Sequence, residues 1–210
     1  MKYLNLFLLS IITFILGTTS SLALIKIDDE SIDIAITYGL KSKGMSTRDL
    51  LNSNWINDGT GQILNIYSPF IQIATKTTDQ NSTGKVEEDL KAVKKRLSTK
   101  IDRIVDKNEV RFLVALYGDA EDFAQNYKAH IIDVNEYNGP NQKKNIIKPR
   151  KADIQKIAEK DNFAPLHPFS AVNCYVLKFN DLFELKEYYF VLTNEKGEEV
   201  KYKINNEEIF

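Results

Sequence analysis

Two histidines, His130 and His167, and one cysteine, Cys174, are the chain's whole supply of imidazole and thiol. Zinc sites draw four ligands from cysteine and histidine, or three with an open position. Two imidazoles far apart in sequence and one thiol do not make such a set, so no metal is expected. A nucleophilic triad can be written from Cys174, His167 and Asp161, since a thiolate needs an imidazole within hydrogen-bond reach and an orienting carboxylate behind it. Cys174, however, lies in the alternating run Ala171–Asn180, beside Tyr175 and Val176. That context reads as a strand in which the thiol is a small buried core group. The lone thiol closes no internal disulfide, and in an oxidising compartment such a group persists mainly by burial.

Acidic chemistry is no better specified. Asp119, Glu121 and Asp122 in the stretch GDAEDF make the best calcium loop, but EF-hand spacing is missing and a solvated turn is the simpler reading. Gly-x-Ser-x-Gly, phosphate-loop and dinucleotide fingerprints do not occur. Among 29 acidic residues nothing singles out a glycosidase-type pair. The expectation is therefore no catalytic residue, no cofactor and no metal, which points away from an enzyme. A basic loop with Lys143, Lys144, Lys148, Arg150 and Lys151 offers contact with an anionic surface, although Pro149 and the turn-rich context favour a solvated loop. Tyr188, Tyr189 and Phe190 are consecutive, so alternation turns at least one ring outward. A cluster of that ring with Phe169 or Phe183 would mark a binding face.

The N-terminus, MKYLNLFLLSIITFILGTTSSLA, places Lys2 before an apolar run from Leu4 to Leu16 and ends on Ser21-Leu22-Ala23. This is the layout of a secretory leader cleaved after Ala23, its apolar part short of the roughly 18 residues a membrane span needs. Cleavage would leave 187 of 210 residues, enough for one domain burying about 70% of its unfolded surface. The remaining 27 basic and 29 acidic residues lack the basic excess of a nucleic-acid binder. Periplasmic or extracellular placement, a protein or envelope partner and no transmembrane helix in the mature chain are expected.

The elements follow from periodicity. Ile32, Ile34, Ile36 and Tyr38 alternate with smaller or polar residues, predicting a half-buried strand over Ser31–Leu40. Asn57–Gly61 is a turn signal and Gln62–Tyr67 a strand. In NIYSPFIQIAT the apolar run meets Ser68-Pro69. Proline lacks an N–H and fixes φ near the helical value, so it suits the first helical position, and Ser68 before it suits the cap. A short helix from Pro69 to about Thr78 is predicted, against a proline-broken strand. Val86, Leu90, Val93, Leu97, Ile101 and Ile104 recur at helical spacing and predict a long amphipathic helix over 86–106. Asn81-Ser82-Thr83 matches a glycosylation acceptor and is read as loop.

Beyond Glu109 strands dominate. Val110–Tyr117 reads as a strand buried on both faces, and Tyr127–Val134, Ala171–Asn180, Glu187–Thr193 and Glu198–Ile204 as further strands. The last two are joined by the Asn194–Gly197 turn, while residues 152–160 fit a short helix or an edge strand. Together these predict a mainly β chain: an antiparallel immunoglobulin-like β-sandwich with a helical insertion at 86–106 and a short helix after Pro69.

At Tyr67-Ser68-Pro69-Phe70, with Ala74 one turn on and a strand, glycine turn, strand ending, the chain resembles a group of uncharacterised exported bacterial proteins. These pair an immunoglobulin-like sandwich with a helical excursion after a Tyr-Ser/Thr-Pro-Phe segment. The resemblance implies the fold and no assigned activity, and the threonines after Ala74 depart from its pattern. The reading that results is an exported envelope protein acting as a non-catalytic binding or interaction module. Its rival is an envelope enzyme or small-ligand carrier with a site near the Ser68-Pro69 junction.

Overall fold

A computed structural model of the chain describes residues 27–45, 50, 55–57, 62–78, 86–98, 108–160 and 167–207. The expected leader, the Asn81-Ser82-Thr83 motif and the end of the 86–106 helix, with Ile101 and Ile104, lie outside the described residues.

Among the described residues, three helices of defined bounds, set out below, precede the long strands. The first, α1 (Asp29–Lys41), replaces the strand expected over Ser31–Leu40. The isoleucines at every second position obscured a second pattern in the same residues: Ile32, Ala35, Ile36, Gly39 and Leu40 are buried along one helical face. Ile34, the member of the alternating series that this face leaves out, is 41% exposed. A reciprocal cap fixes the start. Asp28 Oδ1 accepts from the Ser31 N–H at 2.8 Å, and Ser31 Oγ accepts from the Asp28 N–H at 2.8 Å, satisfying two amides that a helix end otherwise leaves without partners. The bond from the Ser31 amide holds the Asp28 carboxyl below its usual range.

Strands β1 (Trp55–Asn57) and β2 (Ile63–Tyr67) follow, and β2 hands over to α2 (Pro69–Thr78) as predicted. Ser68 Oγ accepts from the Ile71 N–H at 3.3 Å, and the Gln72 N–H bonds to the Ser68 carbonyl at 2.9 Å. The threonines are accommodated because their hydroxyls bond back onto the helix. Thr75 Oγ1 donates to the Ile71 carbonyl at 3.0 Å, Thr77 Oγ1 to that of Ala74 at 2.7 Å and Thr78 Oγ1 to that of Thr75 at 2.9 Å. Helix α3 (Val86–Ser98) buries Val93 and Leu97 against α1 and α2 in a small core with Ile32, Ile36, Phe70 and Ile73. The helical part is thus a three-helix cluster with its own core, larger than the insertion expected from sequence.

The chain is otherwise mainly β. Strands β3 (Glu109–Gly118), β4 (Lys128–Asp133), β5 (Lys151–Asp153), β6 (Glu159–Lys160) and β7 (Phe169–Lys178) follow in order. A short helix α4 (Phe179–Phe183) then leads to β8 (Glu187–Thr193) and β9 (Glu199–Asn205). Two antiparallel sheets result. The larger has the order β1-β2-β3-β7-β5, with β6 also pairing with β7; the smaller has the order β4-β8-β9. The 152–160 segment is therefore edge strand at both ends.

The sheets face each other across one core. Leu64 and Ile66 from β2, Phe112, Val114 and Leu116 from β3, and Tyr175 and Leu177 from β7 meet Ile131, Phe190, Leu192, Tyr202 and Ile204. Phe112 stacks on Phe190 with centroids 5.0 Å apart, and Tyr175 meets the same ring edge-on at 5.8 Å. Burying each such ring stabilises the fold by about 1.5–3 kcal/mol. Strand β3 is buried on this face only. Leu113, Ala115 and Tyr117 on its other face are half-exposed, which corrects the expectation of burial on both sides. Alternation explains Cys174 in the same way. Asn173 and Tyr175 point into the sandwich, so Cys174 lies on the outer face and is half-buried rather than a core residue.

Candidate cleft at the sandwich edge

Strand β4 forms one edge of the smaller sheet and β5 one edge of the larger. Residues 134–150 carry the chain between them as a strap across one open side of the sandwich. The strap begins with a single 3-10 turn (Val134–Glu136), started by Asp133 Oδ1 accepting from the Asn135 N–H at 2.7 Å. Further on, Ile147 pairs with Ile131 through two backbone bonds of 2.8 Å and so covers the β4 edge. Its end is tied to the other sheet by the Arg150 N–H bonding to the Val176 carbonyl at 2.8 Å.

The middle of the strap is held by β9. Glu199 Oε1 accepts from the Asn141 N–H at 2.6 Å and Glu199 Oε2 from the Tyr137 hydroxyl at 3.5 Å. Tyr137 packs edge-on against Tyr189, centroids 5.4 Å apart, with Lys201 Nζ 4.2 Å from the Tyr137 centroid. The outward ring of the Tyr188-Tyr189-Phe190 run therefore meets the strap and not Phe169 or Phe183. Tyr188 and Phe190 are fully buried, and Phe183 stacks on Phe179 at 5.5 Å.

Beside the strap lies a cleft of about 570 Å³ lined from β4, the strap, β5, β7, β8 and β9. Exposed Lys128, Lys143 and Lys148 stand around it, with half-buried Tyr127, His130, Pro149 and Ile154 and fully buried Tyr175 deeper in. The Tyr175 hydroxyl donates to the Tyr127 carbonyl at 3.3 Å, and burial pushes it up to about 12. Tyr127 is pushed up by burial as well. Burial lowers the His130 imidazole below its ordinary value. Glu199 works against that shift and Lys148 with it. A neutral imidazole and two neutral phenols thus share the polar lining of the cleft with Lys128, Lys143, Lys148, Asn141, Gln142 and Thr193. Its one carboxylate, Glu199, is engaged in holding the strap.

The strap and the first residue of β5 carry the basic loop singled out in sequence, and all of its charges but exposed Lys144 divide into two groups. Arg150 Nη1 lies 3.1 Å from Glu109 Oε1, and Lys151 Nζ lies 2.8 Å from Asp153 Oδ2. Lys143 and Lys148 instead line the cleft. His130 and Glu199 received no role from sequence. The available signal was the parity of Lys128 and His130 on β4, the strand that precedes the basic run.

The other candidates fall elsewhere. His167 Nδ1 lies 2.9 Å from Asp119 Oδ1 at the exposed end of β7, while Cys174 is five residues into the strand from Phe169, roughly 16 Å along it. The imidazole is therefore not beside the thiol, and Asp161 lies outside the described residues. Burial also raises the Cys174 thiol, the direction opposite to nucleophile activation. Of the acidic loop, Asp119 is taken up by His167, and the Glu121 carbonyl accepts from the Ala158 N–H at 2.7 Å. The Ser68-Pro69 junction is a packed helix start. Ser68, Phe70, Ile71 and Gln72 are all buried, and the Tyr67 hydroxyl bonds to Thr75 Oγ1 at 2.8 Å.

No family model and no curated protein sequence matches the chain.

Proposed function

We propose that the chain is exported by a leader removed after Ala23 and works in the periplasm or outside the cell as a non-catalytic binding module, its sandwich immunoglobulin-like. Among the described residues no helix is long and apolar enough to cross a membrane, which is compatible with release of the mature chain.

The observation that carries the binding reading is the cleft at the β4 edge. Three ammonium groups stand over a floor of tyrosine, proline and isoleucine, and the only lining carboxylate is committed to the strap. General acid–base chemistry calls for a titratable group oriented by a partner within hydrogen-bond reach. His130 has no such partner among the described residues, whereas recognition needs only the shape and the charge.

A photoreactive residue at position 143, introduced into the full chain in the cells that naturally produce it, tests the proposal. The expected result is a light-dependent adduct in the envelope or culture fluid that is absent when the same group replaces Lys160 on β6. Equal labelling from both positions, no adduct from either, or uncleaved protein retained in the cytosol would refute it.

A further inference from the structure

We propose that the cleft takes a small amphiphilic anion, its oxyanion headgroup held among Lys128, Lys143 and Lys148 and its apolar body laid against Tyr127, Pro149 and Ile154. The proposal rests on the cleft being the binding site and adds the chemistry of what enters it.

Charge is the first argument. The whole chain is close to neutral, with 28 basic and 29 acidic residues. In the basic run, the ion pairs among the described residues fall at its C-terminal end. Arg150 and Lys151 are each paired with a carboxylate. Lys128, Lys143 and Lys148, the three that line the cleft, have no ion pair among the described residues. Gathered around one cleft, three such groups attract an anion more strongly than scattered surface lysines do.

Shape is the second. About 570 Å³ lies within the roughly 300–1,000 Å³ typical of small-molecule sites. Half-buried Tyr127, Pro149 and Ile154 give the cleft a floor that a bare inorganic anion would leave unused. The third argument is the type of cation. Lysine is a point charge on a flexible stem, without the planar fork that selects carboxylate or phosphate geometry. The headgroup class is therefore oxyanion in general, and its source is a matter for measurement.

Calorimetry on the purified chain with dodecyl phosphate, dodecanoate, dodecanol and inorganic phosphate, all in monomeric solution, tests this. Both amphiphilic anions are expected to bind at least tenfold more tightly than dodecanol or inorganic phosphate, and to weaken as salt is raised. Either order of the two anions supports the proposal, and the tighter one identifies the headgroup. Lys143→Glu with Lys148→Glu should weaken both anions at least tenfold, and Lys143→Gln with Lys148→Gln should weaken them less. Lys160→Glu should leave them unchanged. Dodecanol binding as tightly as the anions, or affinity indifferent to both double variants, would overturn the proposal. If position 143 captures a partner in cells while no amphiphilic anion binds, the ligand class is wrong and the binding module stands. If both experiments are negative, both fail.

Discussion

Glu199 on β9 holds the backbone N–H of Asn141, in the middle of the strap, at 2.6 Å. Asn141 has φ +62°, a left-handed conformation that asparagine tolerates better than most residues. One carboxylate therefore fixes a sharp bend in the segment that walls the cleft. Glu199→Ala should cost about 0.5–1 kcal/mol, the range for a charge-assisted bond at a solvent-exposed site. Urea denaturation measures that loss. Limited proteolysis should show faster cleavage between residues 137 and 148 in the variant, while unchanged cleavage would mean that Tyr137 and Ile147 hold the strap without it.

Gly39 is where α1 crosses α2. A Cβ placed there would overlap Thr77 Oγ1 and the Ala74 carbonyl oxygen. Gly39→Ala should therefore destabilise the chain by about 3 kcal/mol, at the upper end of overpacking effects, because a backbone atom cannot rotate away. Adding Thr77→Ala should recover only part of this, since the Ala74 carbonyl remains. Ile34→Ala, on the exposed side of α1, should cost no more than about 0.5 kcal/mol. Thermal unfolding of the four proteins distinguishes close helix packing at Gly39 from a loose crossing.

His130 gives a pH dependence of known sign. Burial lowers its folded value below the unfolded one, so on acidification the unfolded chain takes up this proton first. The stability linked to His130 is present in full above the unfolded value near 6.5 and is lost as pH falls toward the folded one. Lys128 on the same strand, Lys143 and Lys148 on the strap and Glu199 on β9 are the charged groups lining the same cleft. Replacing His130 by Asn should flatten the fall in stability between pH 7 and pH 5. An unchanged slope in chemical denaturation would contradict the burial of the ring.

Cys174 lies on the outer face of the larger sheet, its thiol raised by burial. Alkylation by iodoacetamide should be several-fold slower than for a free cysteine at pH 8, and its rate should continue to rise at higher pH. A rate at or above that of free cysteine at neutral pH would indicate an activated thiolate.

Much of the fold was readable because local chemistry encoded it. Ser68-Pro69 supplies a cap and a first helical residue in two positions, and Asn194–Gly197 supplies a turn whose glycine has φ +81°. Helix α1 was misread because one set of isoleucines satisfies two periods. The reciprocal Asp28–Ser31 cap was present in the sequence as a helix-start signal, whereas the close approach of Gly39 to Thr77 depends on a contact made 38 residues along the chain. The outer position of Cys174 turned on parity within β7, which burial of its neighbours alone does not reveal. The cleft was half visible. Lys143 and Lys148 belonged to a recognisable run, but Lys128, Tyr175, Glu199 and His130 join them only through strand order and register, which no local pattern carries.

The central claim is that the cleft between β4, the strap and β7 is where this protein binds. Backbone amide shift mapping during titration with dodecyl phosphate tests it most directly. Progressive, saturable shifts at Lys128, His130, Lys143, Lys148 and Tyr175, with α1 and the Phe179–Phe183 stack unaffected, are predicted. Saturable shifts confined to the helical cluster or the outer face around Cys174 would contradict it.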